Sequence, residues 1–251
     1  MTPHARKDSR RNVSQSPNAR FSLESLEHRL LMAVDNRAPS VDAVYVTGTV
    51  WADEFLAYLE EGNDGSSQYG YAVPASGGGT RSILPWVNLN RFSIQFSEDV
   101  SVQQNDLEIA SAAGKTYNVT AFAYDPATFT ATWTLDQQVT DADVLTLTLD
   151  ATSPTGVTDP AGNPLRGAGN GGDFVQQLRI LPGDTDRSGE VLENDYLEVS
   201  EKFFSSVTDE RAATGPLFSK YTIFHDVDGS GVILAEDHAE TRQRVGTTLP
   251  A

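Results

Sequence analysis

The chain of 251 residues carries 35 acidic side chains against 18 Lys and Arg, a net charge of −17. That charge repels nucleic acid and anionic membrane surfaces and suits divalent cations. There is no cysteine, which excludes disulfides, thiol nucleophiles and cysteine-ligated zinc.

A hydrophobic share of 39%, with 3 Trp, 8 Tyr and 11 Phe, is enough for one large core or for a sandwich plus a smaller module. No run of about 18 apolar residues is present to span a membrane as a helix. Residues 1–37 stand apart. They hold seven Lys or Arg against four Asp or Glu, net +3, which leaves −20 on the remainder. A basic polar run through Arg6, Lys7, Arg10, Arg11 and Arg20 leads into "RFSLESLEHRLLMAVDN". The apolar part "LLMAV" is short for the h-region of a signal peptide, while Leu23, Leu26 and Leu30 recur at helical spacing over residues 21–33. The residues "LESLEHRLLMA" resemble the Leu-Glu-x-x-x-Arg-x-Leu-Leu N-terminal segment of large exported and surface proteins of planctomycete-type bacteria, departing in His28 and an inserted Leu-Glu repeat. The resemblance implies export to an extracellular or cell-surface location. A disordered basic tail with an incidental helical turn is the competing reading.

From residue 38 to about 181 the pattern predicts strand after strand. "VDAVYVTGTV" alternates apolar and polar residues with β-branched enrichment. "ADEFLAYLEEG" breaks the rhythm, since Phe55, Leu56 and Leu59 recur at helical spacing before Gly62. "NDGSSQYGYAVPASGGGTRS" reads as a Gly/Ser-rich loop region. Strands return as "NRFSIQFSEDV", "DLEIAS", "KTYNVTAFAYD", "TFTATWTLDQ" and "DVLTLTLD", separated by turn-forming "AAGK", "DPAT" and "TDAD". Short strands at roughly ten-residue spacing predict an antiparallel sandwich. "GAGNGGDF" lacks the Lys-Ser/Thr of a P-loop and the spacing of a dinucleotide fold, so it reads as a loop before a last strand, "FVQQLRIL". Trp133 and Phe96 read as core. Asp159 and Asn163 in "TDPAGN" read as an Asx-capped turn, with ion binding as the alternative. The series "FSIQFSEDVSVQQNDLEI", "YDPATFTATWTL", "DVLTLTL" and "GVTDPAGNPLRG" looks like a bacterial Ig-like domain of the S-layer-protein type. That resemblance implies a spacer or presenter of neighbouring modules and no catalysis.

Residues 182–251 carry the strongest motif. "GDTDRSGEVLEND" and "HDVDGSGVILAED" repeat one skeleton forty-two residues apart. An EF-hand-type calcium loop takes side chains at positions 1, 3 and 5, a backbone carbonyl at 7 and a carboxylate at 12, with Gly at 6 for the sharp turn. The first copy then offers Asp184, Asp186, Ser188, the Glu190 carbonyl and Asp195, and the second Asp226, Asp228, Ser230, the Val232 carbonyl and Asp237. Alternate residues of a curved loop converge on one point, and Ca²⁺ takes only oxygen donors of this kind. Two Ca²⁺ sites are therefore expected. A pair of acidic surface turns is the bland alternative, and the duplication weighs against it. Val191 and Ile233, apolar at position 8, suggest that the two loops pair side by side through short strands. Position 12 is Asp in both copies, no amphipathic helix precedes either loop, and "YTIFH" before the second is β-like. One helix follows each loop, in "NDYLEVSEKFFSSV" and "EDHAETRQRVG".

Loop then helix, duplicated over residues 183–249, resembles the dockerin type I module, a small calcium-dependent fold that docks onto cohesin domains. The resemblance implies a cohesin-like or other cell-surface protein as partner. It places partner contacts at loop positions 10 and 11, where the family carries Ser/Thr pairs and this chain has Glu193 with Asn194 and Ala235 with Glu236. Those departures separate calcium binding, which carries over, from recognition of a standard cohesin. The chain is thus expected to be mainly β: a basic N-terminal segment (1–37), an Ig-like antiparallel β-sandwich (38–181) and a small α-helical duplicated calcium-loop module (182–251). The expected role is non-enzymatic attachment at the cell surface. A calcium buffer or sensor, and an accessory module of a polysaccharide-degrading system, are the alternatives.

Overall fold

The alternating stretches form ten strands in two sheets among the described residues of the computed structural model, which are 37–74, 82–152, 155–167, 172–209 and 221–250. The N-terminal segment expected over residues 1–37, with its short helix, lies outside them except for Arg37, as does most of the link between the two acidic loops, at 210–220. Residues Asn36–Ala251 form one compact unit.

The larger sheet contains β1 (Val41–Thr47), β2 (Gly65–Ser66), β3 (Gly70–Val73), β5 (Leu89–Phe96), β7 (Val119–Asp125) and β8 (Thr130–Val139), in the order β2-β3-β1-β5-β8-β7. The smaller contains β4 (Ile83–Leu84), β6 (Leu107–Ser111), β9 (Asp143–Leu149) and β10 (Phe174–Ile180), in the order β4-β10-β9-β6. Pairing is antiparallel except between β4 and β10. The protein is mainly β, a sandwich whose inner faces supply one core. In β8, Ala131, Trp133 and Leu135 are buried while Thr132 and Thr134 alternate outward, as a period of two requires. Phe92, Ile94 and Trp133 share a core with Leu145, Leu147, Leu149 and Leu178 of the other sheet. Trp133 and Phe96 are both core residues, as expected.

Across the outer face of the larger sheet, Arg91, Thr134 and Ala121 lie in one cross-strand row and Ser93, Thr132 and Ala123 in the next. The register shifts between Leu89 and Arg91 on β5, and between Val119 and Ala121 on β7.

Helix α1 (Asp53–Glu61) follows the expected spacing, with Phe55 and Leu59 fully buried and Gly62 at its end. The Gly/Ser-rich stretch after it departs from the loop reading, because β2 and β3 form a short hairpin there and β3 pairs with β1. Its glycines hide the alternation, yet Tyr71 and Val73 are buried. Gly70 is required at φ +94, where a Cβ would run into Thr47 and the Val46 carbonyl. Asp159 folds as an Asx turn, its two carboxylate oxygens accepting from the Asn163 N–H and Nδ2 at 2.7 Å each.

Two further helices, α2 (Glu193–Glu201) and α3 (Ala235–Arg242), pack on each other. Val199, Tyr221, Ile223 and Ile233 from this region join the same apolar core as the sandwich. Val191 packs with Ile83 and Leu181 in a smaller cluster beside it. Among the described residues no helix is long and apolar enough to cross a membrane.

Candidate metal centre

The first acidic loop starts from a fixed point. β10 ends at Ile180; the N–H of Leu181 just after it donates to the Leu84 carbonyl at 3.0 Å, and the Gly183 N–H donates to the Pro85 carbonyl at 2.9 Å. The second loop follows Tyr221, Ile223 and His225, where the chain turns instead of forming the β-like run expected from "YTIFH". Tyr221 and Ile223 are buried at alternate positions as in a strand, but the Ile223 carbonyl accepts from Trp86 Nε1 at 3.2 Å rather than from a neighbouring strand.

Within each loop the carboxylates are held by backbone N–H groups in one repeated pattern. In the first, Asp184 Oδ1 and Oδ2 accept from the N–H groups of Ser188 and Gly189, both at 2.9 Å. Asp195 Oδ1 accepts from the Thr185 N–H and Oδ2 from the Leu192 N–H, both at 2.8 Å. In the second, Asp226 accepts from Ser230 and Gly231 at 3.0 and 2.8 Å, and Asp237 from Val227 and Leu234 at 2.8 Å each. Asp186 and Asp228 each take the N–H two residues on, at 2.9 Å. The hydroxyls of Ser188 and Ser230 donate to the carbonyls of Glu190 and Val232, at 3.1 and 3.0 Å. Asp195 and Asp237 sit in the first turns of α2 and α3 and bond the N–H preceding each helix, which satisfies one orphan donor at each N-terminus.

The result is two convergent acid groups. One carboxylate oxygen from each of Asp184, Asp186 and Asp195 lies within 4.8 Å of the others, and the same holds for Asp226, Asp228 and Asp237. The serine hydroxyls, and the carbonyls they bond, are further oxygens that each loop offers, and oxygen donors suit a hard cation. Gly189 and Gly231, at position 6, have φ +105 and +85, the left-handed turn that points positions 1, 3 and 5 the same way. Asp184, Asp195 and Asp226 are wholly buried and Asp237 nearly so. Burial, helped by Asp186 and then Asp195, pushes Asp184 up to about 7. Burial, helped by Asp228, does the same to Asp237. Burial raises Asp226 well above the usual carboxylate range. These are acids brought together in surroundings that resist their ionisation, a conflict that a bound divalent cation would remove.

The loops do not pair with each other, contrary to the side-by-side expectation. Each pairs with the segment that follows the other's helix. Val191 exchanges hydrogen bonds with the chain beyond α3, through the Thr247 carbonyl at 3.0 Å and the Gly246 N–H at 2.7 Å. Ile233 does so with the chain beyond α2, through the Ser205 carbonyl and the Phe204 N–H, both at 2.9 Å. The apolar position 8 was legible, but its partner was not, because Val191 and Ile233 face different apolar clusters.

The second loop is clasped by residues of the sandwich region that its spacing does not reveal. Trp51 Nε1 donates to Asn88 Oδ1 at 2.7 Å, and Asn88 Nδ2 donates to the Asp228 carbonyl at 2.6 Å. The Val87 and Ala52 N–H groups donate to the Val227 and Gly229 carbonyls, at 3.0 and 2.9 Å. Trp51 covers Gly229, at φ +72, so closely that any Cβ would enter its ring. Tyr221 Oη donates to Asp226 Oδ2 at 2.6 Å. The first loop has Arg187 at the matching left-handed position (φ +59), and its guanidinium lies 3.9 Å from the Phe224 ring centroid, just ahead of the second loop.

Of the residues expected to meet a partner, Glu193, Ala235 and Glu236 are exposed at the starts of α2 and α3. Asn194 is half-buried and donates through Nδ2 to Asp186 Oδ2 at 2.8 Å, which holds a carboxylate of the acid group in place. His225 bonds Thr222 Oγ1 at 2.5 Å and Glu198 at 3.2 Å, and burial lowers its pKa to about 3. His238 lies edge-on between Tyr196 and Phe203.

Fold and loops together define a mainly β protein with two convergent acidic loops bound into its core. No known protein family and no curated protein matches the chain. Among solved structures it is similar to the S-layer protein rSbsC(31-844), at 13% identity and a TM-score of 0.31, over 58% of this chain and 14% of that one.

Proposed function

We propose that this is a non-enzymatic, exported or cell-surface protein that binds two Ca²⁺ through a dockerin-like pair of loops and serves in protein–protein attachment, with an Ig-like sandwich as spacer and presenter. The observation that carries the calcium reading is the convergence of three aspartates in each loop to within 4.8 Å, in two copies with one hydrogen-bonding pattern. Asp184, Asp186, Asp195, Ser188 and the Glu190 carbonyl hold one ion; Asp226, Asp228, Asp237, Ser230 and the Val232 carbonyl hold the other. Water completes the six to eight oxygens that Ca²⁺ takes. When bound, Ca²⁺ supplies the positive charge that lets these carboxylates stay ionised.

Holding suits the site better than sensing. A sensor opens its helices to expose a Met-rich groove, whereas the second loop is bonded to Val87, Asn88 and Ala52 and covered by Trp51. His225 and His238 are committed to packing and hydrogen bonding rather than to chemistry. Surface location rests on the N-terminal resemblance. The exposed ends of α2 and α3, with Glu193, Ala235 and Glu236, are the partner face, for a cohesin-like or other cell-surface protein.

Calorimetric titration of the chelator-stripped full chain is expected to give two Ca²⁺ per protein, with affinities on the order of 10⁻⁷–10⁻³ M. Absence of saturable binding at millimolar Ca²⁺ rejects the proposal.

A further inference from the structure

A second site lies on the sandwich, on the outer face of the larger sheet. Arg91, Thr132, Thr134, Gln68, Tyr69 and Phe122 border an open cavity of about 290 Å³. Arg91 is the unusual member. Its Nε is buried with no hydrogen-bond partner, and among the described residues no ion pair involves it. A guanidinium half sunk in a sheet and left without an acid is costly, above all in a chain with 35 acidic side chains. The register shifts adjoin this spot on two strands, between Leu89 and Arg91 and between Val119 and Ala121. Bulges of this kind re-aim side chains beside functional sites.

The surroundings are pre-set. Tyr69 Oη donates to Asp125 Oδ2 at 3.2 Å and bonds Thr128 Oγ1 at 2.5 Å, which fixes its ring on the cavity wall. The same interactions occupy the Asp125 carboxylate, as do the Ala127 N–H at 2.9 Å and Thr128 Oγ1 at 3.1 Å. Thr132 Oγ1 is hydrogen-bonded to Ser93 Oγ at 2.8 Å. Alanines in register with these threonines leave a flat floor over β7 and β8.

We propose that this cavity binds the carboxylate-bearing ring of an acidic polysaccharide. The planar fork of Arg91 grips a carboxylate bidentately. Threonine hydroxyls reach ring hydroxyls, and the Tyr69 ring takes an apolar sugar face. Inorganic phosphate has no use for that wall or floor, and an acidic peptide would need a strand edge or deeper side-chain pockets. The proposal is independent of the calcium reading, since no loop residue takes part.

The test is native affinity electrophoresis of the full chain, with Ca²⁺ present. One gel contains xylan bearing glucuronate side groups, and the other contains the same polymer after carboxyl reduction. Retardation is expected only in the acidic gel, against the protein's own negative charge, and weakening with salt. Arg91→Gln is expected to weaken retention at least about tenfold and Thr134→Val about threefold, with unfolding curves matching the parent for Thr134→Val. No retention of the folded protein, equal retention by the reduced polymer, or full retention of Arg91→Gln overturns the proposal. Release by phosphate or by a glutamate-rich peptide at lower concentrations than by free glucuronate overturns the choice of ligand.

Discussion

Asp226→Asn lowers the melting temperature of the calcium-loaded protein by more than that of the calcium-free protein. Asp226 is wholly buried, faces Asp228 and Asp237, and in the absence of an ion burial holds its pKa far above the usual range. Asparagine is neutral like the protonated acid, but its NH2 must face one of the backbone N–H groups that Asp226 accepts from, at Ser230 or Gly231, so the ion-free form loses about 1–3 kcal/mol. With Ca²⁺ the variant loses a ligand. A site held at a hundredfold excess over its Kd contributes about 2.7 kcal/mol, which corresponds to roughly 5–11 °C in a chain of this size. Titration should find one site fewer. Equal losses with and without Ca²⁺ would make Asp226 a packing residue and not a ligand.

The same electrostatics set the pH dependence of the calcium-free protein. Asp184 and Asp237 have folded pKa values near 7, above their ordinary value of 3.8. The stability they contribute is fully present below about pH 4 and is lost as pH rises through 7, since the folded state then gives up protons it holds favourably. Saturating Ca²⁺ is expected to stabilise the ionised form and flatten this decline in pH-dependent unfolding curves.

Trp51→Ala carries the second large effect, and it crosses between sandwich and metal site. The ring lies 4.9 Å from Phe55 and 5.2 Å from Trp86, centroid to centroid, while its Nε1 orients Asn88 for the Asp228 carbonyl. Truncating a buried Trp costs about 3–5 kcal/mol through lost contacts and the cavity left behind. It also removes the lid over Gly229, so one of the two calcium affinities falls and the other stays. Asn88→Ala tests the link with less damage to packing and should weaken the same site. If both affinities survive in both variants, the sandwich does not support the loop.

What was legible in the sequence is what is local. Ligand positions 1, 3, 5 and 12 fall within one loop, so spacing alone brings Asp184, Asp186 and Asp195 together, and the second copy repeats the reading. Strands such as β8 are legible because Ala131, Trp133 and Leu135 alternate with threonines. The β2–β3 hairpin is hidden by glycines whose requirement comes from a distant contact, as between Gly70 and Thr47. The exchange of partners between the two loops, the Trp86–Ile223 bond and the Asn88–Asp228 bond join residues far apart in the chain, where no periodicity points. Arg91 looks like an ordinary outward strand residue until the buried, unpartnered Nε becomes visible.

Thermal unfolding of the full chain at neutral pH, in about 10 mM Ca²⁺ and in excess chelator, tests the central claim most directly. Because Val199, Tyr221, Ile223 and Ile233 belong to the core of the sandwich, calcium is predicted to raise the single transition of the whole molecule by about 10 °C or more. Superimposable curves in the two conditions would contradict it.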